Sequence, residues 1–144
     1  MLTAAQVVLT VAAAGFGLVP VAADFNRTHA TNPLWTGHAR FHAVWLGLCC
    51  AGLALLALAL LWAPASDQLA HARLAALITS CIAAGFFGAV LARPIYGGHL
   101  NDENGHQPVT VAVPGGSLRV DANVGLFSSL LLVLAGGWIL ILAA

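Results

Sequence analysis

The chemistry open to this chain is concentrated in its histidines. There are six, and three of them, His29, His38 and His42, fall within fifteen residues. They belong to a polar stretch that reads Asp24-Phe25-Asn26-Arg27-Thr28-His29, then Asn32-Pro33-Leu34-Trp35, then His38-Ala39-Arg40-Phe41-His42. His38 and His42 stand at i and i+4, so on a helix they share one face, which Trp45 and Cys49 continue. Paired imidazoles suit two tasks. As neutral ligands they hold transition metals, and near neutral pH they give and take protons. The blander alternative is a hydrogen bond from each ring to loop backbone. Three histidines grouped with Asp24, Asn26 and Arg40 favour function over that alternative, because polar groups beside hydrocarbon are costly and usually have a role.

A second polar cluster runs His99-Leu100-Asn101-Asp102-Glu103-Asn104-Gly105-His106. Asp102 and Glu103 can add carboxylates to a metal or an acid–base site. The competing reading is a solvated turn, since Asn, Asp and Gly favour turns and Asn104-Gly105 has that character. Arg93, at the end of the preceding apolar run, either snorkels to a membrane interface beside Tyr96 or pairs with Asp24 or Asp102 to hold the two clusters together.

Three functional readings follow. In the first, a membrane enzyme or enzyme-like binder takes a lipophilic small molecule from the bilayer. Asp24, His29, His38 and His42 handle protons, Asn26, Arg40, Asp102 and Glu103 orient them, and Trp35, Phe41 and Trp45 form apolar walls. In the second, His29, His38 and His42, with His99 or a carboxylate, bind a transition metal, with iron, copper and zinc all open. Haem between helices fits poorly, because no histidines lie deep in facing spans. In the third, the chain is a structural or accessory subunit of a larger membrane complex. Other signatures are missing: no H-E-x-x-H, G-x-S-x-G, P-loop or dinucleotide-binding glycine pattern, and no paired carboxylates of the glycosidase kind. Cys49, Cys50 and Cys81 lie in apolar runs and read as packed free thiols.

The elements that must position these residues are apolar. The chain is 60% hydrophobic and 7% charged, against about 25% charged in soluble domains. Its mean hydropathy is +0.93, so lipid is the expected solvent. Its five basic residues are all Arg and are balanced by five acids, a charge pattern without the basic surplus of a nucleic-acid binder. Four runs, at about 3–22, 38–62, 68–92 and 121–143, are long enough to cross a core about 30 Å thick. The first has no basic n-region and reads as a retained span, not a cleaved signal. Ser66 or Asp67 caps the third helix, and Asp121 or Asn123 the fourth. In the third span Cys81, Gly85, Gly88 and Ala92 form a row of small residues for helix packing. Between spans three and four, 109–113 and 117–120 flank Pro114-Gly115-Gly116 as a β-hairpin. The span centres hold only Gln6, Thr10, Thr79, Ser80, Ser128 and Ser129 as polar groups, too few for an ion path.

The expected fold is therefore one all-α membrane domain over residues 1–144. It is an antiparallel bundle of four transmembrane helices with a small β-hairpin between the third and fourth. That topology puts the termini on one side and the loops at 23–37 and 93–120 on the other. The loop side carries Arg27, Arg40, Arg93 and Arg119 and the other side only Arg73, which by the positive-inside rule makes the loop side cytoplasmic.

The stretch from Asp24 to Trp45 resembles the four-span family that contains sterol isomerases and sigma-2-type receptors. That family has an Asp after the first span, matched by Asp24. A Pro and a Trp follow, matched by Asn32-Pro33-Leu34-Trp35, before a second span with site residues, matched by His38 to Trp45. The resemblance implies a polar site for a lipophilic substrate. The family's acidic residue inside the second span is missing here and His42 stands nearest its place, a departure that counts against isomerase chemistry. The fuller string D-F-N-R-T-H, N-P-L-W, H-A-R-F-H resembles small uncharacterised membrane proteins of bacteria and fungi. The expected location is multi-pass in a bacterial inner membrane. The expected partners are membrane lipid, a lipophilic small molecule, and further copies or a larger complex, with no nucleic acid.

Overall fold

The computed structural model describes residues 1–101 and 103–144. It contains α1 (Leu2–Gly17), α2 (Val19–Asp24), α3 (Gly37–Trp62), α4 (Gln68–Tyr96), β1 (Val109–Val113), β2 (Gly116–Val120) and α5 (Ala122–Leu142). Four segments, Leu2–Asp24, Gly37–Trp62, Gln68–Tyr96 and Ala122–Leu142, are long and apolar enough to cross a membrane. The chain is a multi-pass membrane protein with the expected architecture, a four-span bundle with a hairpin between spans three and four.

Each boundary has a local cause. Pro20 lies in the first turn of α2, where its missing N–H is not needed. The first span therefore breaks at Leu18 and resumes as α2, whose last residue is Asp24. Thr36 caps α3 by accepting the Ala39 N–H at 3.2 Å, and Asp67 caps α4 by accepting that of Ala70 at 2.8 Å. Asp121 caps α5 through the N–H groups of Asn123 and Val124.

α4 runs to Tyr96, past the expected end near residue 92 and through Pro94. A proline here leaves the carbonyl four residues back without its helical donor. Arg93 supplies the replacement, its Nε–H donating to the Val90 carbonyl at 2.9 Å. Arg93 thus repairs its own helix. It forms no ion pair with Asp24 among the described residues. Gly97, at φ 67°, then closes the helix in the left-handed conformation.

The hairpin pairs Val109 with Val120, Thr110 with Arg119 and Val111 with Leu118, closing at Val113 and Gly116. Pro114 and Gly115 form its turn, and Gly115 has the positive φ, 87°, that this turn demands at its third position.

α1 packs against α3, α4 and α5. Ala5, Leu9, Ala12, Ala13 and Phe16 meet Ala57 and Leu61 of α3, Ala72 to Ala83 of α4, and Leu130, Leu134 and Ile141 of α5. Phe127 stacks on Phe16 and Phe86, with ring centroids at 5.3 Å and 4.1 Å. α1 and α3 approach so closely that a Cβ on Gly17 would collide with the Ala54 methyl. The small-residue row expected at the α4 interface faces outward instead. Gly85 and Gly88 have open space around their Cα atoms, and Ala72, Ala75, Ala76, Thr79 and Ala83 take the buried face. Both rows have helical spacing, so periodicity could not choose between them. The thiols also differ from expectation: Cys49 and Cys81 lie exposed on the outer surface and Cys50 is half-buried.

Polar groups in the spans hold helices together. The Gln6 amide donates to the Leu61 carbonyl, and Gln68 donates to the Leu60 and Leu61 carbonyls. These are free acceptors at the C-terminus of α3. Trp62 donates to Thr10 at 2.8 Å and Trp138 to Ser80 at 3.0 Å. The Gln6–Leu61 and Gln68–Leu61 bonds mark one end of the bundle. The polar loops meet at the other.

Candidate functional site

The site begins where α2 stops. Asn26 folds the chain back after Asp24: its Nδ2 donates to the Ala23 carbonyl at 2.6 Å. Its Oδ1 accepts the N–H and the hydroxyl of Thr28, both at 2.8 Å. This side-chain-closed turn is what Asn does well. It returns His29 over Asp24, with His29 Nδ1 3.3 Å from Asp24 Oδ1 and 2.8 Å from Thr28 Oγ1. Trp35 meets the His29 ring edge-on, centroids 5.2 Å apart.

Asn32 ties this loop to the second one. Fully buried, it donates from Nδ2 to the Thr28 carbonyl at 2.8 Å and to Asn104 Oδ1 at 3.2 Å. Its Oδ1 accepts the Leu34 N–H and Asn104 Nδ2, both at 2.9 Å. Both amide hydrogens and both lone pairs of Asn32 are thereby used. The reciprocal amide pair joins positions 72 residues apart in sequence. Two residues beyond Asn104, His106 enters the site with its ring centroid 6.0 Å from that of His29.

His106 Nε2 lies 4.0 Å from Asp24 Oδ1, too far for a hydrogen bond. That nitrogen is buried and has no hydrogen-bond partner among the described residues. Asp24, His29 and His106 each aim one ligand atom so that all three atoms lie within 4.8 Å of one another. Ligands bound at about 2.0–2.1 Å around a tetrahedral ion stand about 3.4 Å apart. The 3.3 Å Asp24–His29 separation already suits a shared ion, and the His106 side needs a small closing movement. Beside the cluster is a cavity of about 140 Å³ lined by Thr28, His29, Trp35, His99, His106 and Asn123 among others. It leaves room for a small ligand next to the three donor atoms.

The other candidate residues lie elsewhere. His38 and His42 share the outer face of the first turns of α3, exposed to the surroundings, with Nε2 atoms 3.0 Å apart and rings perpendicular. Phe41 and Trp45 extend this strip, 60% and 55% exposed. Neither His38 nor His42 joins the Asp24 group among the described residues. Arg40 is half-buried and forms no ion pair among those residues. His99 lines the cavity, and Glu103 is exposed beside a more open depression that His99 also borders. Asp102 lies outside the described residues. His106, Asn32 and Asn104 were not among the candidate site residues drawn from sequence. The one available signal was that His106 stands in the second polar cluster, in the loop that the topology brings to the same end.

No curated protein and no solved structure matches the chain. A family profile does, over residues 8–136, nearly the whole length. The chain therefore belongs to a family of unknown function, DUF6640.

Proposed function

We propose that this protein is a membrane metalloprotein whose ion is held by Asp24, His29 and His106 at the loop end of the bundle. One observation carries the reading: three potential ligand atoms from two separate loops converge within 4.8 Å. The unpartnered, buried Nε2 of His106 supports it, because a bound ion satisfies an imidazole nitrogen that the protein leaves bare. Two imidazoles and one carboxylate suit a divalent first-row ion such as iron or zinc, with positions left open for a substrate or water. The cavity beside the three donor atoms is lined by His99 and Asn123, which can bind the polar end of a ligand. When bound, the ion would supply Lewis-acid or redox chemistry. The chain's own groups would hold it in place: the Asn26–Thr28 turn presents His29 beside Asp24, and Asn32 with Asn104 brings His106 to them. We take the substrate to be a lipophilic molecule that reaches the cap from a bacterial inner membrane. The exposed Phe41 and Trp45, and the resemblance of residues 24–45 to the sterol isomerase family, support that choice.

A metal-free reading has its own support in the 3.3 Å Asp24–His29 contact. In it the carboxylate orients His29, which moves a proton on the same lipophilic substrate. Elemental analysis of the purified full chain separates the two. The metal reading requires close to one equivalent of a transition metal, lost in Asp24→Asn and in His106→Ala. A protein that stays metal-free after incubation with iron, zinc or copper and dialysis overturns it.

A further inference from the structure

We propose that the β1–β2 hairpin rests its apolar face on the protein's own bilayer, as a fifth membrane contact beside the four spans. The register sorts its side chains. Residues paired across an antiparallel ladder lie on the same face. Val109 with Val120, Val111 with Leu118, and Val113 opposite Gly116 therefore make one face, and it has no polar side chain. Thr110 with Arg119 and Ala112 with Ser117 make the other. Such a division is the mark of a sheet with one covered and one wet face. Yet among the described residues nothing covers most of it: Val109, Val111, Val113 and Leu118 are 54%, 45%, 41% and 56% exposed. A lone two-stranded hairpin is at best marginally stable in water, and a contiguous exposed apolar patch marks an interaction surface.

The fold indicates what covers it. β2 ends at Val120, and a single residue, the cap Asp121, separates it from α5. Its base thus lies within about 7 Å of chain from a membrane span. Val120, the apolar-face residue nearest that span, turns toward it: a Cβ placed on Gly125, in the first turns of α5, would stand 3.4 Å from Val120 Cγ1. The apolar face of the hairpin is therefore continuous with the surface of α5 that enters the bilayer, where Leu126 is again exposed. Arg119 and Thr110, on the opposite face, are left to the aqueous side. The occupant that this continuity favours is lipid at the level of headgroups and upper acyl chains.

Spin labels distinguish lipid from the other occupants. The full chain, with Cys49, Cys50 and Cys81 changed to Ala, carries one nitroxide at Val111→Cys, Leu118→Cys, Thr110→Cys or Ser117→Cys. It is reconstituted in phosphatidylcholine vesicles at high dilution. Collision with oxygen, which concentrates in lipid, is compared with collision with a water-soluble nickel chelate. The expected result is a several-fold higher oxygen-to-nickel ratio at 111 and 118 than at 110 and 117. High nickel collision at all four sites means that the face is in water and overturns the proposal. Low collision with both reagents at 111 and 118 means that protein, such as a second copy, covers the face, and overturns it equally. Quenching of the fluorescence that Val111→Trp or Thr110→Trp adds to that of the four native tryptophans, by lipids brominated near the headgroup, reads the same contrast with the native cysteines in place. Equal quenching at both positions overturns the proposal. None of these readouts depends on a metal, so the fate of the Asp24 site is tested separately.

Discussion

Two pairs of histidines invite comparison. His38 and His42 need only a helix: i, i+4 spacing brings their nitrogens to 3.0 Å, and one ring's N–H can donate to the other. The pair is exposed, and each ring is the other's partner. His29 and His106 come from loops far apart in sequence and face a shared carboxylate. Holding them there takes a closed turn at Asn26 and a buried amide pair at Asn32 and Asn104. Local spacing produces a histidine pair at little structural cost. A pair that a fold assembles from two loops, with one nitrogen left bare, is the better sign of a ligand.

The sharpest way to break this comparison is to remove a proposed ligand from the loop site. Outer partners of metal ligands are worth about 10–100-fold in affinity, so Asp24→Asn or His106→Ala should weaken metal binding by more than that. Competition against a chelating dye measures it. Binding should also fall as pH is lowered, because protons compete for the imidazole lone pairs and the carboxylate. Metal retained at pH 5 as well as at pH 8 would count against histidine ligation. Next in size is the clasp. Asn32→Ala takes away four hydrogen bonds whose partners are half-buried or exposed, each worth about 0.5–1.5 kcal/mol, so a loss of about 2–4 kcal/mol in a denaturation midpoint series is expected. Metal affinity should fall with it, since His106 is no longer held.

Two smaller effects sharpen the contrast. Arg93→Ala uncovers the Val90 carbonyl and should cost about 1 kcal/mol, with metal content unchanged. A loss of metal in that variant would restore Arg93 as a tie between the loops. The smallest effect belongs to the exposed pair: His38→Ala with His42→Ala should stay within about 0.5 kcal/mol in thermal melts and keep the metal. Loss of the metal in that double variant would show that the helix pair, not the loop pair, is the site.

Much of the architecture was legible before any coordinates. Apolar runs of bilayer length specify four spans, Pro114-Gly115-Gly116 specifies the turn of the hairpin, and i, i+4 spacing puts His38 beside His42. What could not be read depends on tertiary choice. Nothing near His106 says that its partner is Asp24, because the Asn32–Asn104 pair that brings them together has no local pattern. The two rows of small residues on α4 have the same period, and only the position of α1 decides which is buried. Arg93 has the look of an interfacial anchor or an ion-pair partner. Its actual bond depends on the helix continuing through Pro94.

The amide clasp also sets an order of events during synthesis. Asn32 emerges from the ribosome 72 residues ahead of Asn104. At about 5–20 residues per second this is a wait of roughly 4–14 s. In that interval the first two spans can enter the membrane, but the loop carrying Asp24 and His29 has no second loop to lock against. The cap can therefore close only after the third span has inserted, and a nascent chain stopped before residue 104 would present an open, incomplete centre. Loading of the proposed ion would follow completion of the polypeptide, since a half-made chain lacks the His106 donor.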